Sequence, residues 1–157
     1  MTTLRWTVPL APGDGRPGPK MTRQSIWEAM VEKAADPSPY VPYIVDCQVR
    51  EQYQDGLLRA ITYSDRGVVL ERVFYEPERR MTFRMIDDPD IAEIVNEVGT
   101  DENGAFEFTL KVVLSAAAEE RTQREPEFML ELYRLFSSSL PTIVQATLDH
   151  HSATDSH

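Results

Sequence analysis

Residues 57–86 read L-L-R-A-I-T-Y-S-D-R-G-V-V-L-E-R-V-F-Y-E-P-E-R-R-M-T-F-R-M-I, from Leu57 to Ile86, and they decide the fold. Three short runs rich in β-branched and aromatic residues are broken by two turn signals, Ser64-Asp65-Arg66-Gly67 and Glu76-Pro77-Glu78. Runs of this length joined by such turns pair as neighbours in an antiparallel meander. Working outward, the same pattern predicts strands near residues 44–53, 57–63, 68–75, 80–86, 91–99 and 105–115. Gln54-Asp55-Gly56 and Glu102-Asn103-Gly104 supply two further turns. Leu4 to Leu10 also alternates, placing Leu4, Trp6 and Val8 on one face of a short strand that Pro9 ends or confines to an edge.

Two helices flank the meander. Thr22 suits the N-cap of a helix reaching about Asp36, with Met21 and Ile26 as a hydrophobic staple. Ile26, Trp27, Met30, Val31 and Ala34 follow helical spacing until Pro37 stops it, and Asp36 to Pro42 is too rich in proline for more than a turn. Ala116 to Arg124 reads as a charged linker. Pro126 then suits the first position of a last helix reaching about His150, roughly 35 Å long at 1.5 Å per residue. Its apolar stripe runs through Phe128, Leu132, Leu135, Phe136, Ser139, Ile143, Val144 and Thr147, and Pro141 is expected to kink its second half. A sheet with one apolar face needs cover, and this helix must supply it.

Composition limits the function classes. At 157 residues one domain is expected, assigned to 1–150, with 151–157 a disordered polar tail. Hydrophobic residues at 41% and charged residues at 27% are an ordinary globular balance. A formal charge of -10 suits neither a nucleic-acid backbone nor an anionic membrane surface, so neither nucleic-acid binding nor membrane insertion is expected. Cys47 is the single cysteine, which precludes an intrachain disulfide and a cysteine-based zinc site. The Pro- and Gly-rich segment Ala11 to Lys20 reads as a loop. The N-terminal stretch lacks the continuous apolar core of a signal peptide, and a cytoplasmic protein is the simplest expectation.

The order of elements resembles the SRPBCC superfamily, which includes START, Bet v 1 and polyketide aromatase/cyclase domains. Within it, the chain is similar to the group related to the acetylaranotin biosynthesis protein L. The residues that carry this are Trp6-Thr7-Val8-Pro9, M-T-R-Q-S-I-W-E-A-M from Met21, D-P-S-P-Y-V-P from Asp36, V-V-L-E-R-V-F-Y-E-P-E-R-R-M-T-F from Val68, Asn96, and the turn from Asp101 to Gly104. The resemblance spans nearly the whole chain but brings no short catalytic signature. It implies an α+β helix-grip fold, a seven-stranded curved antiparallel sheet wrapped around a long C-terminal helix with a short helical section after the first strand. It also implies a deep, largely apolar cavity between sheet and helix.

The hairpin quoted first carries the candidate site. A three-residue loop Asp65-Arg66-Gly67 would set Tyr63 opposite Val69, Ile61 opposite Glu71 and Arg59 opposite Val73, with Arg59, Ile61, Tyr63, Val69, Glu71, Val73 and Tyr75 on the inner face. A two-residue loop would put Arg59 against Arg72, which like charge disfavours. Glu71 then lies diagonally from Arg59 in an apolar wall. One reading makes Glu71 an acid/base or ligand anchor, with Arg59 and Tyr63 orienting or polarising a carbonyl; the other is a structural ion pair. Asn96 is either a ligand or water partner or a satisfied structural amide. Trp27, Tyr75 and Phe83 are candidate lining, and Tyr133 offers a hydroxyl from the last helix. Arg84 alternates with Phe83 and Met85 and is expected to face solvent.

His150, His151 and His157 read as imidazoles near a helix C-terminus rather than as metal ligands, and Cys47 as a small buried hydrophobe. No Walker A loop, G-x-S-x-G or dinucleotide fingerprint occurs, so no cofactor is expected. Three functions remain: binding a small, mainly apolar organic ligand; cofactor-free cyclase, dehydratase or lyase chemistry in the same cavity; or a protein-interaction module. The chain is expected as a monomer or homodimer.

Overall fold

The computed structural model of the protein describes residues 2–11, 20–41, 43–64 and 67–155, with side chains as far as His150. Seven strands form, β1 (Thr3–Pro9), β2 (Ile44–Tyr53), β3 (Gly56–Tyr63), β4 (Gly67–Glu76), β5 (Arg80–Met85), β6 (Ile91–Thr100) and β7 (Phe106–Leu114). Three helices join them, α1 (Arg23–Ala35), α2 (Ala116–Arg124) and α3 (Pro126–Asp155). All strands belong to one antiparallel sheet in the order β1-β7-β6-β5-β4-β3-β2. The meander follows from its turns, and β1 closes the far edge by pairing with β7 from Thr3↔Val113 to Pro9↔Glu107. Pro9, which has no N–H to give, ends an edge strand as its chemistry requires.

This is the helix-grip fold. The inner face carries Ile61, Val73, Met81, Phe83, Phe108, Leu110 and Val112, all buried, and α3 covers it with Phe128, Leu132, Phe136, Leu140, Ile143, Val144 and Leu148. Alternation along the strands explains the burial pattern: in β5 Met81, Phe83 and Met85 are buried while Arg84 is exposed. Thr22 caps α1 through a reciprocal pair of bonds, its hydroxyl accepting from Ser25 N–H at 3.1 Å and Ser25 Oγ accepting from Thr22 N–H at 3.0 Å. After α1, Pro37 O accepts from both Tyr40 N–H and Val41 N–H, so this proline-rich segment makes a single turn. His150 Nδ1 meets Glu32, tying the far part of α3 to α1.

Three features differ from the sequence reading. Residues 116–124 form α2 rather than a linker: Ser115 accepts from Ala118 N–H at 3.1 Å and donates to Pro89 O at 2.6 Å, so a capped and anchored N-terminus starts a run of alanines and glutamates. The backbone of α3 runs through Pro141 to Asp155, so residues 151–155 of the expected polar tail continue the helix, in a stretch with neither glycine nor proline to stop it. The β3–β4 register is displaced by two residues, with Arg59↔Glu71, Ile61↔Val69 and Tyr63↔Gly67. An even displacement leaves every side chain on its expected face. Residues 65 and 66 of that loop, 12–19 of the Pro- and Gly-rich loop, and the side chains of His151 and His157 lie outside the described residues.

Candidate functional site

Between the sheet, α1 and α3 lies a cavity of about 70 Å³. Its floor is Arg59, Tyr63, Glu71, Phe83, Asn96 and Leu110 from the strands; α3 roofs it with Phe136, Ser139 and Ile143, and Lys33 enters from α1. Pro37, Val41, Tyr43 and Ile44 close the remaining side. The lining is mainly apolar, as the resemblance implies, but the free space is well below the roughly 300–1,000 Å³ of drug-sized sites. The rings of Phe83, Phe136 and Tyr63 and the long side chains of Arg59 and Lys33 occupy the rest.

Arg59 and Glu71 face each other across the β3–β4 ladder, so the pair is direct rather than diagonal. Arg59 Nε and Nη2 both donate to Glu71 Oε2, at 3.0 and 2.8 Å, and Tyr63 Oη donates to Glu71 Oε1 at 3.2 Å. Glu71 is 1% exposed and Arg59 5%. Arg59 Nη1 donates to Ala34 O at 2.7 Å and Lys33 O at 3.4 Å, satisfying carbonyls of the last turn of α1, and the guanidinium lies over Phe83, 4.8 Å from its centroid. The three residues singled out from the sequence are thus brought together in one network in which both carboxylate oxygens are engaged. Removing one partner of such a pair leaves a buried charge uncompensated, at a cost of about 3–5 kcal/mol.

Lys33 is the residue that the sequence reading missed. It is 6% exposed, and its Nζ makes neither an ion pair nor a hydrogen bond with the described residues; it lies instead 5.8 Å from the centroid of Phe83 and 5.5 Å from that of Phe108. Burial, and secondarily the Arg59 cation, pull its pKa from 10.5 down to about 7, while Glu71 pulls the other way. The signal was present in the sequence: Lys33 stands seven residues after Ile26 and three after Met30, on the buried face of α1.

Asn96, mid-strand in β6 and 2% exposed, also lines the cavity, with no side-chain hydrogen bond to a described residue. Phe83 lines the cavity as well. Trp27 and Tyr75 meet edge to face at 5.7 Å beside the core, away from the cavity wall, and burial raises the Tyr75 phenol. Tyr133 is 50% exposed and packs on Trp6, with centroids 5.3 Å apart, so its hydroxyl is not offered to the cavity; it lies one residue past buried Leu132, about 100° around the helix. Cys47 is half-buried, donates to Ala35 O at 3.3 Å, and burial pushes its thiol up. Among the described residues no group of three or more His, Cys, Asp or Glu is placed to hold a metal, and no helix is long and apolar enough to cross a membrane.

A model of the family described as acetylaranotin biosynthesis cluster protein L matches residues 4–146. No curated protein sequence matches. Among solved structures, the Zhui aromatase/cyclase from Streptomyces sp. R1128 superposes with a TM-score of 0.63 at 14% identity, covering 96% of this chain and 93% of that one. The di-domain ARO/CYC BexL from the BE-7585A biosynthetic pathway gives 0.65 at 14% identity over 96% of this chain, which spans half of BexL, 50%. A START superfamily protein from Mycobacterium smegmatis gives 0.58 at 12% identity, covering 91% of this chain and 97% of that one. At these identities the likeness is one of fold.

Proposed function

We propose, from the premise that this chain belongs to the acetylaranotin biosynthesis cluster protein L family, that its cavity binds a small, mainly apolar organic molecule bearing one polar group, such as an intermediate of specialised metabolism. The observation that carries this reading is the pairing of an apolar wall with two buried polar side chains, Lys33 and Asn96, that have no described hydrogen-bonding partner. Buried polar groups are normally satisfied, so groups held open toward a cavity point to a ligand that satisfies them. Native mass spectrometry followed by organic extraction tests it. The expected result is a bound organic molecule that is absent from an Ile143→Trp variant, whose indole fills the cavity. No extracted molecule, together with unmoved cavity methyl resonances on titration with phenol, indole and benzaldehyde, would sink it and favour a protein-interaction role.

A second reading is a cofactor-independent cyclisation or dehydration using Glu71, Arg59 and Tyr63. It is supported by a buried carboxylate and a phenol on the wall of one cavity, and by the aromatase/cyclase descriptions of Zhui and BexL. Glu71→Gln separates the two. Abolished turnover of the extracted molecule with binding retained supports catalysis, whereas weakened binding alone supports an anchor.

A further inference from the structure

We propose that Lys33 is a covalent attachment point for carbonyl compounds, its ε-amine condensing with an aldehyde or ketone held in the cavity to form an imine. The proposal rests on the ligand-binding reading above and names the chemical class of ligand. Three observations of geometry carry it. Lys33 is buried at the wall of the cavity. Among the described residues lining it, the one carboxylate, Glu71, is already engaged by Arg59 and Tyr63, and the described rings beside Nζ are those of Phe83 and Phe108. The permanent cation Arg59 shares the same wall. An unpaired ammonium is costly in such surroundings, and an amine desolvated beside a second cation is the arrangement that activates lysine as a nucleophile.

A residue recruited only to hold an anion would do so better as arginine, which stays charged; lysine is the side chain that can shed its proton when buried. With its pKa near 7, Lys33 presents on the order of 10³-fold more neutral amine at pH 7 than an ordinary lysine of pKa about 10.4. The lone pair of Nζ adds to the carbonyl carbon, the C–O π bond breaks, and the oxygen gains a proton while the nitrogen loses one. The carbinolamine then expels its hydroxyl as water with a second proton, leaving a C=N iminium whose nitrogen gives up its remaining proton to the group that supplied the second; amine plus carbonyl gives imine plus water, with no oxidation or reduction. Asn96 can donate to the carbonyl oxygen, and the Tyr63 hydroxyl, hydrogen-bonded to Glu71, lines the same cavity as a source of the proton for dehydration. The ionisable groups lining the cavity with Lys33 are Arg59 and Tyr63 from β3, Glu71 from β4, and Tyr43 from the segment before β2. From α3 come Phe136, Ser139 and Ile143, which do not titrate in this range.

The chain makes the test clean, because it has only three lysines, Lys20, Lys33 and Lys111. Lys20 is exposed, and Lys111 is paired with Glu97 at 2.8 Å. The full chain is treated with benzaldehyde and sodium cyanoborohydride, which reduces an imine to a stable benzylamine, and adducts are located by peptide mass spectrometry. Cavity occupancy by benzaldehyde is followed in parallel from methyl resonances. The expected result is labelling of Lys33 at least about tenfold faster than Lys20 or Lys111 at pH 7, with a rate that rises through pH 7 and then levels off. Lys33→Met, which removes the buried charge, should lose that adduct while Lys20 and Lys111 label at the wild-type rate. Occupancy without preferential labelling of Lys33 would overturn the imine while leaving ligand binding intact. Absence of both occupancy and labelling would overturn the two together.

Discussion

Lys33 places a titratable group where the fold disfavours its charge, and this sets a pH dependence of definite sign. Its folded pKa is about 7 against 10.5 unfolded. Below pH 7 the lysine is charged in both states and its burial penalty is complete. Between about 7 and 10.5 the unfolded chain holds a proton that the folded one has released, so this group's contribution to stability increases as pH rises. Urea denaturation of wild type and Lys33→Met at pH 6.5 and 9 should therefore show the wild type gaining about 2–3 kcal/mol relative to the variant over that interval. A constant difference would mean that Lys33 titrates as an ordinary lysine. The same residue shows the limit of reading one helix alone: position in the α1 repeat marks Lys33 as inward-facing, but nothing local says that the neighbouring carboxylate is committed to Arg59.

Among the elements, the β2–β3 hairpin depends on one glycine. Gly56 has φ +149, and a Cβ there would meet Val73 O at 1.8 Å, on the facing strand β4. Gly56→Ala must move backbone rather than a flexible side chain. It should cost more than about 3 kcal/mol, lowering Tm by roughly 6–12 °C at about 2–4 °C per kcal/mol. A melting temperature within a degree or two of wild type would show that β3 and β4 can separate there at little cost. Strand boundaries were legible to within about one residue because alternation and turns are local properties. α2 was not, because the feature that fixes it, Ser115 bonded to Pro89 O, comes from a segment 26 residues away. Register was half legible: the faces were set by alternation, but the displacement by two residues in β3–β4 depends on how the sheet packs.

At the scale of the whole molecule, the cavity is too small for a multi-ring ligand unless something moves. Pro141 lacks the N–H that would bond Ser137 O within α3, and Ser139 and Ile143 on either side of it line the cavity. The second half of α3 is therefore expected to move if a ligand enters, and Pro37, Val41, Tyr43 and Ile44 flank the same cavity. Hydrogen exchange should show amides 137–148 exchanging faster than those of β6 and β7, and slowing when the ligand extracted with the protein is restored. Uniform protection, unchanged by ligand, would place the entry elsewhere.

By itself the sequence determined a short first strand, six strands in a meander, the Thr22-capped α1, the apolar stripe of α3, and the inner face that holds Arg59, Tyr63 and Glu71. These follow from periodicity, capping and turn chemistry, which act over a few residues. Only the tertiary structure decided that Arg59 and Glu71 are directly opposed, that Tyr133 looks outward, that the cavity is narrow, and that Lys33 stands in it with no ion pair among the described residues. Those facts depend on which groups from separate strands and helices arrive at the same point, and on the free energy of a charge that is fixed by its neighbours in space rather than in the chain.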